Sequence, residues 1–304
     1  MNQSKKVTII ALTYRNFDGL DKTMNMLLEQ DYPNLEVILS DDGSDNFSYD
    51  LVEDYVIKAK EKNINLIINH NEKNVGTVKN INGALKLAQG DIIGFLGCGD
   101  YYFSSHIIKE MVGLFEKYDV EVVAAKMKGM AVSDSNKVTI LPEKRFCKLL
   151  SEMDNQKLLN QMINANCFCA PATFYKKEVY QKYGMYDERM RLIEDYPFMF
   201  KLVLNNAKIK FWDKCVTMYT FDGVSSGKAS PLILADLEKI QRLVLLPNIG
   251  RCALRQRRLF LYNYYRKRSK KLGDKVINIL KYPEQFLYWQ YVRVIGIIQR
   301  QRRK

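Results

Sequence analysis

Five short apolar runs recur through the first 125 residues, starting about 28 residues apart: 7–12 (VTIIAL), 35–39 (LEVIL), 64–68 (INLII), 91–96 (DIIGFL) and 120–125 (VEVVAA). Each has the length and β-branched content of a buried strand. Between them apolar residues take a helical period, with Leu20, Met24, Leu27 and Leu28 in one stretch and Val78, Ile81, Leu85 and Ala88 in another. Strand and helix in alternation predict an α/β fold, a mostly parallel central sheet with helices on both faces. In such sheets ligands bind beyond the carboxyl ends of the strands, so the loops after these runs are where function is sought.

Charge narrows the class further. Of 47 Lys and Arg and 34 Asp and Glu, residues 241–304 hold 17 and 2, which leaves residues 1–240 with 30 and 32. The net charge of +13 therefore belongs to the tail, and it comes without a nucleic-acid reader motif; no nucleic-acid partner is expected. Six cysteines lie scattered without a CxxC pair and only two histidines accompany them, a poor basis for zinc and a usage that fits a reducing, cytoplasmic setting. The start shows no signal-peptide pattern, and no run reaches the roughly 18 apolar residues of a membrane span.

Beyond residue 128 the alternation loosens. Helices are expected at 155–163, 176–183 and 197–204, and strands at 173–175, 209–212 and 216–219. From Pro231 the pattern is helical and increasingly basic, which places a boundary near residue 230 and predicts two parts, 1–230 and 231–304.

The second run ends in Ser40, Asp41, Asp42, Gly43, Ser44 and Asp45, carboxylates at the mouth of a parallel sheet followed by a turn-permitting glycine. The neighbouring first run ends in Thr13, Tyr14, Arg15 and Asn16. Asn74, Val75 and Gly76 lead into a helix carrying Lys79, Asn80 and Gly83, and Gly90, Asp91, Ile92 and Ile93 open the fourth run. In this order the series, over roughly residues 5–220, resembles the family 2 glycosyltransferases, inverting enzymes of the Rossmann-like GT-A fold that use nucleotide-sugar donors.

Carried onto this chain, the resemblance implies that Thr13 and Tyr14 line the base and ribose pocket, with Asp42 accepting a base N–H and Asp41 beside it. A carboxylate suits the imide N–H of uracil or thymine, or the N1–H and amino group of guanine, and opposes the bare N3 of cytosine, so UDP, dTDP and GDP sugars stay open as donors. Gly76 permits close backbone approach to a ligand, and Lys79 is a candidate diphosphate contact, with a solvated helix lysine as the plain alternative.

The fourth run leads into Gly97, Cys98, Gly99 and Asp100, where the family commonly reads DxDD. Gly97 and Gly99 stand at acidic positions, so Asp100 is the sole metal candidate for a divalent cation, Mg or Mn, or else a helix cap. Cys98 reads as a small packed residue. Farther on, Glu194, Asp195, Tyr196 and Pro197 match the family's ED pair, which implies Asp195 as catalytic base and Glu194 as an acceptor- or base-orienting neighbour. Inverting transfer needs a base for the acceptor hydroxyl and positive charge for the departing diphosphate. With the acidic loop weakened, Lys79 and Lys228, within 223–228 (GVSSGK), are candidates to share the second task.

The expected activity is therefore transfer of a hexosyl or related sugar, with inversion, to a lipid-linked oligosaccharide in capsule, O-antigen or exopolysaccharide synthesis. A non-catalytic nucleotide-binding GT-A module is the alternative that the degenerate acidic loop raises. A sugar-nucleotide synthesising nucleotidyltransferase is disfavoured, because the 13–18 loop lacks a Gly-rich phosphate cradle. In the tail, cations interleave with Phe286, Leu287, Tyr288, Trp289, Tyr291 and Ile295. That mixture suits peripheral attachment to an anionic membrane surface at the inner face of the plasma membrane. Packing of the tail on the catalytic part is its alternative. Residues 130–144 and 221–228 are expected as specificity loops.

Overall fold

The computed structural model describes residues 4–131, 134–152, 154–220 and 230–301. Its strands are β1 (Val7–Thr13), β2 (Leu35–Asp41), β3 (Asn65–His70), β4 (Ile92–Gly97), β5 (Tyr101–Tyr102), β6 (Val122–Ala131), β7 (Asp134–Leu141), β8 (Thr173–Lys176) and β9 (Ile209–Thr220). Helices α1 (Leu20–Leu28), α2 (Asp50–Glu61), α3 (Thr77–Leu87) and α4 (Ile107–Lys117) alternate with the first strands. There follow α5 (Lys144–Glu152), α6 (Asn155–Met162), α7 (Glu178–Tyr183) and α8 (Asp195–Leu204). The C-terminal region contains α9 (Pro231–Ile240), a π-helical turn (Gln241–Leu245), α10 (Leu246–Asn248), α11 (Leu254–Arg268), α12 (Leu272–Lys281) and α13 (Pro283–Gln301).

One sheet runs through the molecule in the order β3-β2-β1-β4-β8-β6-β9-β5, with β7 paired to β6. The first four strands in that order are parallel, as their spacing predicts. The second half is mixed: β8 inserts antiparallel between β4 and β6, while β6 and β9 are parallel. The runs expected at 209–212 and 216–219 form a single strand, with a register shift opposite Ala125–Met127 absorbing the polar residues between them. Much of the expected 130–144 loop is strand too, folded back on β6 as a hairpin. Its alternation, with Val138 and Ile140 exposed, lacks the continuous apolar run that marks a buried strand.

Side chains alternate across the sheet into two cores. Ile10, Ile38, Ile93, Phe95, Val122 and Ala124 face α3, α6 and α8 on one side. Val7, Ile9, Ala11, Val37, Leu39, Val123 and Ala125 face α1, α2 and α4 on the other. The C-terminal region divides between two fates. Ile240, Leu245, Cys252 and Phe260 belong to the first of these cores, whereas α12 and α13 leave large apolar side chains exposed. No helix of the described residues is long and apolar enough to cross a membrane.

Candidate active site

Register alone gathers the sequence-predicted groups along one edge. Thr13 pairs with Asp41, Asp41 with His70, and Leu12 with Gly97, so the carboxyl ends of β1 to β4 finish in a row. The loops that follow pack backbone to backbone. A Cβ on Gly43 (φ +73°) would fall 2.3 Å from the carbonyl carbon of Lys73, and one on Gly19 would fall 2.7 Å from the Cα of Gly99. Both are contacts only glycine permits.

Asp41 is buried at the base of this edge. Its carboxylate accepts the backbone N–H of Ser44 (2.8 Å) and the Ser44 hydroxyl (2.5 Å), and pairs with His70 Nδ1 at 2.8 Å. The His70 ring stacks on Phe47, centroids 4.4 Å apart. Asp42, also buried, accepts from four donors: the N–H of Val75 and of Gly76 and the Asn74 amide, each at 2.9 Å, and the Asn71 amide at 3.4 Å. Burial still outweighs those bonds and raises its pKa above the ordinary carboxylate value. The acidic run is thus the clasp between the loops after β2 and β3.

Around this clasp, the Thr13 hydroxyl donates to the carbonyl of Asn16 and Tyr14 stands exposed at the rim, with the Arg15 guanidinium 5.2 Å from its ring centroid. Lys79 projects from the first turn of α3, exposed. Lys228 lies outside the described residues. Desolvation pushes the Cys98 thiol up to about 12, which fits the packed, unreactive residue expected there.

Asp100 is buried beside the end of β9. The N–H of Thr220 reaches its Oδ1 at 3.0 Å and the N–H of Gly97 its Oδ2 at 3.3 Å. No cationic side chain pairs with it among the described residues, and desolvation pushes its pKa up to about 7. Among the described residues, no three His, Cys, Asp or Glu side chains cluster as a metal cage. A hard cation carried with a diphosphate takes only one or two protein carboxylates. Asp100, a buried acid with lone pairs to spare and no counter-charge, fits as one.

The second acidic pair opens α8. Glu194 is the N-cap residue and makes no side-chain cap, and Asp195 is the first helical residue, with Pro197 in the same turn. Asp195 accepts the Asn166 amide at 2.8 Å and the N–H of Tyr196 at 2.7 Å. Burial raises its pKa, and burial together with the neighbouring Asp195 charge raises that of Glu194.

One loop joins the two acidic pairs. Arg191 lies against Gly76 (φ +92°), where a Cβ would meet the Arg191 carbonyl oxygen at 2.8 Å; that carbonyl accepts the N–H of Val78 at 3.1 Å. The Arg191 guanidinium donates to the Asn74 side chain at 2.5 Å. Four residues later the chain reaches Asp195, so the Asp42 clasp and Asp195 belong to one contiguous assembly. The loop is held from behind by Asp236 of α9, only 1% exposed, whose Oδ2 accepts the N–H groups of Arg191 (2.8 Å), Leu192 (2.6 Å) and Ile193 (3.2 Å).

Sequence reasoning passed over Arg191 and Asp236. Only Asp236 carried a readable signal: it lies four residues before the buried Ile240, so an acid occupies the apolar stripe of its helix. Such a residue needs donors, and the sequence does not say where they come from.

Comparison with solved structures places this architecture. The chain superposes on Staphylococcus aureus TarS 1–349 in complex with UDP-GlcNAc with a TM-score of 0.64 at 23% identity, over 91% of this chain and 79% of that one. It superposes on the Pyrobaculum calidifontis mannosyltransferase PcManGT, solved with GDP-Man and Mn2+, with a TM-score of 0.58 at 16% identity, over 91% and 79%. The fold is GT-A. Residues 8–184 match the model of glycosyl transferase family 2, and the chain belongs to that family. Among its curated relatives, Bacillus subtilis EpsJ is 24% identical over 70% of this chain and 60% of its own length. Escherichia coli WfaP, a UDP-Glc:alpha-D-GlcNAc-diphosphoundecaprenol beta-1,3-glucosyltransferase, is 32% identical over 34% of this chain and 39% of its own. The chain thus spans less than two thirds of these relatives.

Proposed function

We propose that this protein transfers a hexosyl or related sugar, with inversion, from a UDP, dTDP or GDP donor to a hydroxyl of a lipid-linked saccharide in the synthesis of a bacterial surface polysaccharide. The observation that carries the reading is Asp195: a half-buried carboxyl of raised proton affinity, oriented by Asn166, on a loop that also touches the Asp42 clasp. In this reading Thr13, Tyr14, Asp41 and Asp42 shape the base and ribose pocket. Gly76 brings the backbone close to the donor, and Lys79 on the first turn of α3 meets the diphosphate.

Asp195 takes the proton of the acceptor hydroxyl as the oxygen attacks the anomeric carbon, and Glu194 orients the acceptor. Raised proton affinity suits that step, because a base works best with a pKa near the working pH. Asp100 would hold a divalent cation, Mg or Mn, which supplies positive charge to the departing diphosphate. Residues 1–230 form the catalytic part. Residues 231–304 attach it to the anionic inner face of the plasma membrane, with α9 also serving the active-site loop. The lipid-linked acceptor draws support from WfaP, and polysaccharide synthesis from the putative teichuronic acid glycosyltransferase TuaG of Bacillus subtilis.

The test is transfer from UDP-, dTDP- and GDP-sugars to polyprenyl-diphosphate saccharides by the parent and by Asp195→Asn. Turnover that disappears while nucleotide binding persists supports the reading; equal turnover by the two proteins ends it. Gly97 and Gly99, in place of acids, favour one other reading, a nucleotide-binding module without activity. A parent that binds nucleotide and transfers nothing would establish that alternative.

A further inference from the structure

Helix α12 is built inside out. In a surface helix of a globular protein the apolar stripe faces the core and polar groups face water. Here Asn278 is the buried residue, 5% exposed, while Leu272 (77%), Val276, Ile277 and Leu280 (73%) face outward. Their spacing of four, five and eight residues puts all four on one stripe. The buried amide donates to the carbonyl of Tyr262, and its Oδ1 has no partner among the described residues. The helix therefore turns its apolar side away from the protein, an arrangement that gains nothing unless something else covers it.

Charge identifies the cover. Lys270, Lys271, Lys275 and Lys281 flank the stripe, exposed, and no carboxylate pairs with them among the described residues. Of the two acids in residues 241–304, Glu284 is already clamped by the Arg258 guanidinium at 2.6 and 2.9 Å. A second copy docking through the same face would bring like charge against like charge. A sheet of lipid phosphates over hydrocarbon meets both features at once. Beside the stripe, α11, α12 and α13 enclose a groove of about 360 Å³ lined by Arg266, Lys275, Arg293, Tyr262, Phe286 and Trp289. The Arg266 guanidinium lies 4.1 Å from the Trp289 ring centroid. Lys275 lines this groove and directly precedes Val276 of the stripe. At ten residues, or about 15 Å, α12 is long enough to lie in an interface and too short to cross one.

We propose that α12 is the membrane contact of this protein. Its Leu272–Leu280 stripe enters the headgroup boundary of an anionic bilayer, and lipid phosphates seat against Lys271, Lys275 and the Arg266–Arg293 groove. This rests on the membrane attachment proposed above and names the surface that makes it. It is tested with the full chain and vesicles of phosphatidylcholine alone or with about one third phosphatidylglycerol, read by flotation, so the result does not depend on finding a sugar donor.

The parent floats with the anionic vesicles and not the neutral ones, and about 0.5 M salt releases most of it. Leu272→Ser combined with Leu280→Ser lowers the apparent affinity at least tenfold, and Lys271→Glu combined with Lys275→Glu does the same. All four residues are exposed, so the melting temperature stays at the parent value. A parent that ignores anionic vesicles overturns both this proposal and the membrane attachment beneath it. A double-serine variant that floats like the parent overturns only the assignment to α12. A parent dimer in sedimentation that the double-serine variant dissolves assigns the stripe to self-association and overturns the proposal as well.

Discussion

Two acidic pairs meet through one loop in opposite surroundings. Asp42 accepts four donors from the 71–76 segment, and Asp41 is enclosed by Ser44 and His70. Asp195 accepts two donors and has a second carboxyl next to it in the chain, one that makes no side-chain cap. The first pair spends its charge on holding backbone; the second keeps its charge available to a proton. What separates the two carboxylates is the number of donors aimed at each rather than burial alone, since burial raises the pKa of both Asp42 and Asp195.

The largest effect is expected at Asp195. Asp195→Asn should lower turnover about 10²- to 10⁴-fold with nucleotide affinity unchanged, the two read by transfer kinetics and calorimetry. Because burial holds its pKa up, the parent's turnover should fall with acidification at a pH above the ordinary carboxylate value of about 4. That acid limb should be missing from the residual rate of the variant.

A smaller effect, of the opposite kind, is expected at the donors' end. Asp236→Ala strands three backbone N–H groups and should cost about 3 kcal/mol of stability in denaturant unfolding. Hydrogen exchange at Arg191, Leu192 and Ile193 should accelerate, and turnover should fall further than nucleotide affinity. Asp236→Asn, which keeps one carbonyl acceptor, should recover part of each loss. Gly76→Ala should cost about 2 kcal/mol, because it places a side chain at φ +92° against the Arg191 carbonyl, and it should weaken nucleotide binding along with stability.

The smallest effect would be a gain. With the Glu194 carboxyl held above its ordinary value, the folded state retains a proton that the unfolded chain releases. This group therefore costs stability progressively as pH rises from the unfolded value through the folded one. Glu194→Gln should raise the melting temperature by roughly 3 °C on the alkaline side of that window and leave it unchanged on the acid side, by calorimetry. A gain of equal size at Asp42→Asn would erase the distinction between the pairs. A loss there preserves it.

The parallel half of the sheet was legible because β1, β2 and β4 are buried on both faces and write continuous apolar runs, and the half-buried edge strand β3 still carries Leu66, Ile67 and Ile68. The antiparallel insertion of β8 was not, since four residues of strand read the same in either direction. Strand β9 appeared as two runs because Asp213 and Lys214 interrupt it, and the register shift that carries them exists only against β6. In the site, Gly43 was legible as a turn and Gly76 as a close approach of backbone to a ligand, yet the contacts that require glycine come from other segments, the Lys73 backbone and Arg191. The tail read as one basic, aromatic unit and divides in the fold: up to Phe260 it packs on the core, and at α12 it turns its leucines outward.

The residue types at the strand ends are readable along the chain, because hydrophobic periodicity and turn chemistry are local. Which donors occupy each carboxylate was set by contacts between distant segments. The donors that occupy Asp42 lie about thirty residues away, and those that occupy Asp236 more than forty. Hydrogen-bond saturation depends on distances across space that no local pattern encodes.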